Sequence, residues 1–522
     1  MLKTISTLLI SLFLLGQSFG QRQQVTARVY HDRNNNQKYD PGETPLAGVA
    51  VSTMGTIALT NRFGLVQLPV EKREIVFVIQ PAGYTFPLQN NSVPAFYRIV
   101  YQEPSPAHLK YPGIQMLSNP TDTLDFPMIE SVIVAGTFKV QMIGDIQAPT
   151  KKEIEFFQEM IVPKLIQHPA DFKVCLGDIA DNYLDIYPAV EGALKTLGTP
   201  SYMVFGNHDI NYLSNGAEDQ AETFHRHFGP DYYAFNVGKT HLVVLNTVRY
   251  KGRNEKENRN GSYTGGLDPK QLEWLKQDLA LVPDSYQIVL MAHIPLMKQF
   301  ADTANIKQVF ELLKDRENLL AIYGHVHQTG SWMHNEDFLW PYKGQFEGQI
   351  AGAACGGWWV GPYGLDSIPD ATCPDGTPPG FYHYTFEETQ YSKKFIVAGN
   401  NKDEQLRISS PAAVLSSDSV HQHWIYVNVF DGNEETLVNY RLNNGPVVQM
   451  AKVLEIDPFL LRNNHLRYNR DNWRPGLSPS THLWRALLPE GLPVGKHLLQ
   501  ATCQLNDGSV YTSEKIVELL EK

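Results

Sequence analysis

The sequence predicts an α/β protein in which a central layered β-sandwich flanked by helices lies between N-terminal and C-terminal all-β sandwich domains. Three observations predict this fold class. The 522 residues exceed what one hydrophobic core supports, and 43% hydrophobic and 19% charged residues are typical of globular domains. Strand-like alternation fills both ends of the chain, whereas strands alternate with amphipathic helices in the middle. The predicted domains are residues 21–130, 131–400 and 410–522.

The first twenty residues have the pattern of a secretory signal peptide. Lys3 gives a positive start, residues 8–15 form a short apolar stretch, and Ser18 and Gly20 are small residues at suitable cleavage positions. The apolar stretch is shorter than the ~20 residues that a membrane-spanning helix needs, which disfavours an uncleaved anchor. We therefore expect cleavage after Gly20, export to the periplasm or the medium, and no transmembrane segment in the mature chain.

The N-terminal domain is predicted from short alternating stretches such as VTARVYHD and VAVSTM, which are separated by Gly and Pro. A loop after the first stretch carries oxygen-bearing side chains at positions 1, 3, 5, 9 and 12, the spacing of a calcium loop. These residues are Asp32, Asn34, Asn36, Asp40 and Glu43. Gln37 occupies position 6, where glycine is usual. Calcium binding and a polar β-turn are both compatible with this segment.

In the central domain, apolar strands are predicted to alternate with helices. The strands are FKVQMIGD, FKVCLGD, SYMVFGNHD, THLVVLNT, YQIVLMAH and NLLAIYGHVH. The helices are KKEIEFFQEMIVPKLIQ and DPKQLEWLKQDLALV, the second capped by Asp268. Polar residues collect at the C-terminal ends of the strands, where ligand sites form in such sheets.

The C-terminal domain is again predicted to be a β-sandwich. HWIYVNVFDG and LVNYRL read as strands, and HLLQATCQLNDGSVYTSEKIVEL reads as a hairpin. Its turn, Asn506-Asp507-Gly508, is one of the strongest short-range hairpin signals.

Charge and cysteine content narrow the functional classes. The net charge of -11 provides no basic footprint and argues against nucleic acid as a partner. A phosphorylated substrate remains compatible, because bound metal ions supply local positive charge. Four cysteines are too few for a disulfide framework in so long a chain. Cys175 is expected to be a buried thiol, Cys355 and Cys373 are close enough in sequence to pair, and the sequence indicates no partner for Cys503.

Five motifs at strand ends carry the chemistry: GDIQ, GDIAD, GNHD, MAHIP and GHVH. Each motif alone is weak, because a single GNHD fits a turn and a single HxH is more often structural. Together they supply carboxylate, amide and imidazole ligands, including a carboxylate that can bridge two ions. The set therefore predicts a two-metal site for phosphate chemistry.

These motifs resemble those of the calcineurin-like metallophosphoesterase superfamily, which includes purple acid phosphatases and many phosphodiesterases, over roughly residues 135–330. The resemblance implies the metallophosphoesterase fold and hydrolysis of a phosphomonoester, diester or diphosphate by a metal-bridged hydroxide. The implied ligands of the first metal are Asp145, Gln147, Asp178 and His327. The implied ligands of the second metal are Asp178, Asn207, His293 and His325, so that Asp178 bridges.

The same resemblance assigns catalytic roles to His208 and Asp181. His208 follows a metal ligand and would face the substrate and protonate the leaving oxygen. Asp181 stands where some members place the carboxylate that orients this histidine. A solvated turn residue is the alternative interpretation of Asp181.

Gln147 departs from the usual Asp-x-His form of the first motif. An amide oxygen is a harder and weaker ligand than imidazole, which favours manganese or iron over zinc at the first site. A similar glutamine occurs in manganese-dependent ADP-ribose and CDP-alcohol diphosphatases of the superfamily. This likeness favours a diester or diphosphate substrate and leaves manganese, iron and zinc open as the two divalent ions.

The flanks resemble a bacterial architecture in which the catalytic domain lies between dedicated N- and C-terminal β domains, and residues 352–384 look characteristic of it. Trp358 and Trp359 lie there after two glycines, soon after the GHVH motif. They are predicted either to stack on a base, sugar or lipid headgroup, or to fill the junction with the C-terminal sandwich.

The leading functional prediction is an exported metal-dependent phosphoric ester hydrolase that acts on a phosphorylated small molecule or lipid headgroup. A nuclease is disfavoured because the chain lacks a basic, aromatic groove signature. A surface-binding protein with a decayed catalytic domain is the alternative from another class, and the nearly complete ligand set argues against it.

Overall fold

The computed structural model of the protein describes residues 23–118, 122–133, 136–254, 260–399, 404–416, 423–463 and 476–521. The predicted signal peptide lies outside the described residues. No helix within the described ranges combines the length and apolarity needed to cross a membrane.

The N-terminal region folds into two facing sheets. Its strands are β1 (Gln23–His31), β2 (Thr44–Pro45), β3 (Ala50–Ser52), β4 (Ile57–Leu59), β5 (Leu65–Val70), β6 (Arg73–Val78), β7 (Tyr84–Thr85), β8 (Tyr97–Tyr101) and β9 (Thr123–Glu130). One sheet has the order β2-β1-β9-β7 with β5 also paired to β1, and the other has the order β4-β3-β6-β8. Alternate residues of β1 are buried, as the predicted sandwich requires. Val29, Phe77 and Phe126 are fully buried in the core.

The central region is built on two larger sheets. Its first sheet contains β10 (Thr137–Ile143), β11 (Phe172–Cys175), β12 (Ser201–Met203), β21 (Gly380–Glu387) and β22 (Gln390–Val397), in the order β12-β11-β10-β21-β22. The second contains β13 (Tyr233–Val237), β14 (Thr240–Leu245), β17 (Gln287–Ala292), β18 (Asn318–Tyr323), β19 (Thr329–Met333) and β20 (Gln345–Ala351), in the order β13-β14-β17-β18-β20-β19. The small pair β15 (Val248–Tyr250) and β16 (Tyr263–Gly265) stands apart. Tyr202 stacks on Phe235 between the sheets, with ring centroids 4.0 Å apart.

Helices flank these sheets, as predicted. They are α1 (Lys151–Met160), α2 (Val162–Gln167), α3 (Tyr187–Lys195), α4 (Glu222–Phe228), α5 (Pro269–Leu279) and α6 (Thr303–Leu313). The predicted cap of α5 is confirmed, because the Asp268 side chain accepts from the Gln271 N–H. The prediction of one helix over 151–167 is wrong. Pro163 lacks the N–H that would continue α1, so the chain breaks at Ile161 and restarts as α2.

Parallel pairing aligns the ends of the strands that carry the motifs. β10, β11 and β12 run parallel in the first sheet, as do β14, β17 and β18 in the second. Their carboxyl ends therefore share an edge, where the motif residues follow. The third motif strand ends earlier than predicted, at Met203, and a 3-10 turn over Asn207–Asp209 carries its polar residues.

The C-terminal region forms the second predicted β-sandwich. Its elements are β23 (Leu406–Ser410), β24 (Val414–Ser416), β25 (Trp424–Val429), β26 (Leu437–Leu442), β27 (Val448–Gln449), β28 (Ala451–Ile456), α7 (Pro458–Asn463), β29 (Pro479–Leu487), β30 (Gly495–Gln504) and β31 (Val510–Leu520). The sheets have the orders β23-β25-β29-β28 and β24-β31-β30-β26-β27. The hairpin prediction is confirmed by the antiparallel pair β30–β31, with Gly508 at φ 83° in its turn.

Candidate metal centre

The loops after the motif strands bring the seven predicted metal ligands to one edge of the central sheets. These residues are Asp145, Gln147, Asp178, Asn207, His293, His325 and His327. Four of them have left-handed φ angles: 33° at Gln147, 48° at Asp178, 74° at His325 and 53° at His327. Residues other than glycine rarely adopt this backbone conformation, and such strain is concentrated at functional sites.

Asp178 lies in the middle of this arrangement. Its Oδ2 atom is 3.1 Å from Nε2 of His293, and its Oδ1 atom accepts the backbone N–H of His208 at 2.7 Å. Ligand atoms of Asp178, His293 and His325 all lie within 4.8 Å of one another. Burial alone would raise the pKa of the Asp178 carboxyl, but His293 and His208 hold that pKa well below its usual range. Asp178 therefore presents an ionised carboxylate to the centre of the cluster.

His293 and Asn207 converge on the same position. The Nδ1 atom of His293 lies 2.8 Å from the Leu176 carbonyl, which can only accept, so Nδ1 carries a proton and Nε2 faces the cluster. Nε2 is 3.0 Å from Oδ1 of Asn207. Burial would lower the pKa of His293, but Asp178 raises it to about 9. A cation that binds here must therefore displace a proton, as metal binding to imidazole generally does.

A second group of ligands surrounds Asp145. Nε2 of His327 is 3.5 Å from Oδ1 of Asp145, and Nδ1 of His327 lies 2.6 Å from the Gly356 carbonyl. The Gln147 amide nitrogen donates to Asp181 Oδ1 at 3.3 Å, which leaves Gln147 Oε1 facing inward. That oxygen is buried and has no hydrogen-bond partner among the described residues. A buried acceptor without a partner is rare and fits a cation ligand.

His325 connects the two groups. Its backbone N–H donates to both oxygens of Asp145 at 3.0 Å, and its ring packs edge-on against His293 and Phe300. Burial first, and the nearby His293 next, lower the pKa of His325 to about 4. His325 is therefore neutral at physiological pH, the form that binds a metal.

Sequence comparison finds three family models along the chain. Residues 138–329 match the family model for calcineurin-like phosphoesterase, residues 32–112 match the model for its N terminal, and residues 349–511 match the model for its C terminal. The chain is a calcineurin-like phosphoesterase. The predicted family and fold are thereby confirmed, and membership of this family agrees with the predicted class of enzyme, a metal-dependent phosphoester hydrolase. The predicted domain boundaries stay predictions.

Individual relatives match shorter stretches of this calcineurin-like phosphoesterase. The human "Serine/threonine-protein phosphatase CPPED1" is 30% identical over 124 residues, 23% of this chain and 36% of that protein. The Pongo abelii protein of the same name is 32% identical over 124 residues, with the same coverage. The match thus spans about a third of the length of these curated relatives. The solved structure of a purple acid phosphatase from yellow lupin aligns with a TM-score of 0.37 and 13% identity. The alignment covers 67% of this chain and 69% of the phosphatase chain.

His208 and Asp181 lie beside the predicted metal ligands of the phosphoesterase. Nδ1 of His208 is 3.0 Å from Asp181 Oδ1, an ion-pair distance, although the angle at the ring nitrogen falls short of hydrogen-bond geometry. Burial would lower the pKa of His208, but Asp178 and Asp181 raise it. A partly exposed imidazole with a raised pKa, beside the predicted metal ligands, fits a proton donor.

Asp209 is a site residue to which sequence reasoning gave no role. Its buried carboxylate accepts the N–H groups of Ile179 at 3.2 Å, Ala180 at 3.0 Å and Gly206 at 3.0 Å, and the Tyr187 hydroxyl at 3.0 Å. It thereby fixes the loops that carry Asp178 and Asn207. An acidic residue directly after the Asn-His pair was the available signal.

The two tryptophans have different environments. Trp358 stacks on the His327 ring, with centroids 4.3 Å apart, and is partly exposed at the edge of the site. Trp359 is buried and packs against Phe156 of α1. Of the two predicted substrate-binding residues, only Trp358 therefore lies where a substrate bound at the metals can reach it. Cys175, Cys355 and Cys503 are buried free thiols, and Cys373 is also buried.

The predicted calcium-loop residues converge in the N-terminal region. Asp40 Oδ2 accepts the side-chain amides of Asn34 at 2.9 Å and Asn36 at 2.7 Å, and these bonds lower the pKa of Asp40. Asp32 accepts the N–H groups of Asn36 and Gln37, and Glu43 accepts that of Asp40. Gln37 adopts the left-handed conformation that glycine usually provides at this position, with φ 61°.

Proposed function

We propose that this phosphoesterase is an exported hydrolase that uses two divalent cations to cleave a phosphodiester or diphosphate bond. The observation that carries the proposal is the central position of the Asp178 carboxylate. It contacts His293 and has a ligand atom within 4.8 Å of those of His293 and His325, and the Asp178 backbone carbonyl accepts the Gln147 N–H at 2.8 Å, which joins Asp178 to the group of Asp145, Gln147 and His327. Two ions bound there would supply hydroxide near neutral pH and neutralise charge on the phosphoryl oxygens.

The remaining chemistry falls to the protein's own residues. His208 holds a proton beside Asp178 and donates it to the leaving oxygen, while Asp181 orients the imidazole. Asp209 fixes the relative positions of the loops that carry Asp178 and Asn207. Trp358 offers an apolar face next to His327 for the group attached to phosphorus.

Individual residues also support the metal preference, the substrate class and the location. The amide oxygen of Gln147 favours manganese or iron over zinc at the first site. Its likeness to the glutamine of manganese-dependent diphosphatases favours a diester or diphosphate among phosphorylated small molecules and lipid headgroups. The signal-peptide pattern of residues 1–20 supports export to the periplasm or the medium.

Hydrolysis of p-nitrophenyl phosphate and of its bis-ester tests the proposal. The purified chain is stripped of metal and assayed with and without added Mn²⁺, and the bis-ester is expected to be the better substrate. Asp178→Asn should lose most activity and at least one ion, whereas Asp185→Asn, at an exposed carboxylate nearby in sequence, serves as the matched control. Full activity and two ions in Asp178→Asn would sink the assignment. A panel of nucleotides, sugar phosphates, diphosphates and phospholipid headgroups then identifies the substrate class.

A further inference from the structure

The segment of residues 352–379, here called the bridging loop, connects β20 to β21 and contacts the metal centre near its start. The N–H of Cys355 donates to the Asp145 carbonyl, and the N–H of Ala354 donates to the Gly144 carbonyl, each at 3.0 Å. The Gly356 carbonyl accepts from His327 Nδ1. A side chain at Gly144 would meet the Gly352 carbonyl at 1.8 Å, so the backbones touch directly. Through these contacts the bridging loop holds Asp145 and His327, two of the predicted ligands of the first metal.

The far end of the bridging loop is embedded in the C-terminal sandwich. Asp375 is almost fully buried, and its Oδ2 atom lies 3.0 Å from Nε2 of His482 on β29. Asn428 on β25 donates to the Asp375 carbonyl at 3.0 Å and to Asp457 Oδ2 at 2.8 Å. Because the Asn428 amide nitrogen donates to these two oxygens, Asn428 Oδ1 faces His482 Nδ1, which donates to it at 2.8 Å.

Thr329 joins this buried network to the loop that carries His325 and His327. Its N–H donates to Asp375 Oδ2 at 3.0 Å, and its hydroxyl donates to the Phe430 carbonyl at 2.7 Å. The hydroxyl also lies 3.1 Å from His482 Nε2. Thr329 stands two residues after His327, so the C-terminal sandwich holds this loop through Thr329 and also through the bridging loop.

We propose that the C-terminal sandwich positions the first metal site, and that Thr329, Asp375 and His482 act as positioning residues for His327 and Asp145. The inference rests on the proposed two-metal function. The second site is held differently, because His293 is oriented by Leu176 and Asn207 lies in a loop fixed by Asp209. Loosening the network should therefore weaken the first ion more than the second, because His325 is the one second-site ligand carried by the same loop. Loss of such outer contacts generally costs a metal site about 10- to 100-fold in affinity.

The test is a two-site Mn²⁺ titration of the metal-free full chain, with Gln147→Ala marking the step that belongs to the first site. Thr329→Val keeps the shape and the backbone bond but removes the hydroxyl, and we expect about tenfold weaker binding at the first site and a smaller change at the second. Thr329→Ser restores the hydroxyl and should bind as wild type. Tyr382→Phe is the matched control, because it removes another bond to the C-terminal sandwich, from the Tyr382 hydroxyl to Asp431 at 2.8 Å. His482→Gln is expected to weaken the same step.

The outcomes separate the two proposals. Wild-type affinity at both sites in Thr329→Val overturns the positioning role, and so does equal weakening in Tyr382→Phe, which would indicate a general loosening of the interface. If His482→Gln does not fold, the Thr329 pair still decides the question. A wild-type chain that binds no pair of ions overturns the proposed function and this inference with it, whereas two ions and no effect of Thr329→Val overturn this inference alone.

Discussion

Gln147 is the residue at which the metal centre differs most from an imidazole-rich site. Its amide is neutral, and the bond from its nitrogen to Asp181 fixes the oxygen toward the cluster. An amide cannot gain basicity from an outer carboxylate as imidazole can, so the first ion should be held less tightly than the second. Purified protein is expected to be partly depleted of that ion, and added manganese should raise its activity.

Substitution at Gln147 provides the graded test. Gln147→His should bind the first ion more tightly and favour zinc or iron, while turnover falls because the bond to Asp181 is lost. Gln147→Leu, which offers no ligand atom, should lose the first ion. Metal affinity is measured by titration of all three proteins. If Gln147→Leu retains two ions with wild-type affinity, Gln147 is not a ligand.

His208 is predicted to donate a proton to the leaving group and not to bind a metal. His208→Asn should leave the metal content intact and reduce turnover by about 10²-fold or more for alkyl esters, the usual contribution of general acid catalysis. The loss should be smaller for p-nitrophenyl esters, whose leaving group needs little protonation. Asp181→Asn should produce a smaller loss with the same dependence on the leaving group. Equal losses for both kinds of ester would contradict this role.

Calcium binding by the loop of residues 32–43 can be tested independently of the metal centre. Calcium bound there should stabilise the N-terminal sandwich by mass action, by about 2.7 kcal/mol at a concentration one hundred times Kd. We expect calcium, but not magnesium, to raise the unfolding temperature of the full chain. Glu43→Gln should abolish the shift, because it weakens the ligand at position 12. Calorimetric traces that are identical with calcium and with a calcium-selective chelator would rule out the site.

The elements differ in how far sequence could predict them. The strands before Asp145, Asp178, His293 and His325 follow from predominantly apolar stretches that end in polar motifs, and the structure has them there. The apolar spacing continues across Ile161 and so did not reveal the break there, for which Pro163 was the local signal. The network around Asp375 was equally invisible, because its members are distant in sequence and each has an ordinary polar neighbourhood. These residues become hydrogen-bond partners only when the fold buries them together.

At the scale of the whole molecule, the N-terminal sandwich is joined to the central domain by a buried charged interface. Arg73 on β6 contacts Asp219 at 2.8 Å and Glu222 of α4 at 2.7 Å. Within the same region, His225 Nε2 lies 2.9 Å from Asp231. Burial would lower the pKa of His225, but Asp231 and Glu222 raise it. Burial would raise the pKa of Asp231, but His225 lowers it.

These opposite shifts predict a pH window for stability. The raised pKa of His225 contributes stability fully below about 6.5, its unfolded value, and this is lost as pH rises through the folded pKa. The lowered pKa of Asp231 contributes above about 3.9 and is lost as pH falls through the folded pKa. His225→Gln should therefore lower the Tm more at pH 6 than at pH 8.5. His383→Gln, at a ring bonded to the Pro169 carbonyl, is the control, and a pH-independent effect at His225 would contradict the prediction.

The pairing of β10 with β21 has a consequence for how the chain acquires its native state. These neighbours join Thr137 to Glu387, about 250 residues later, and every predicted ligand of the two-metal site lies between them. Contacts so distant in sequence form slowly, because a long loop must close before any native interaction rewards it. During synthesis, the sheet that carries Asp145 and Asp178 cannot close until the segment following the GHVH motif has emerged. We therefore expect metal loading to be a late event in folding.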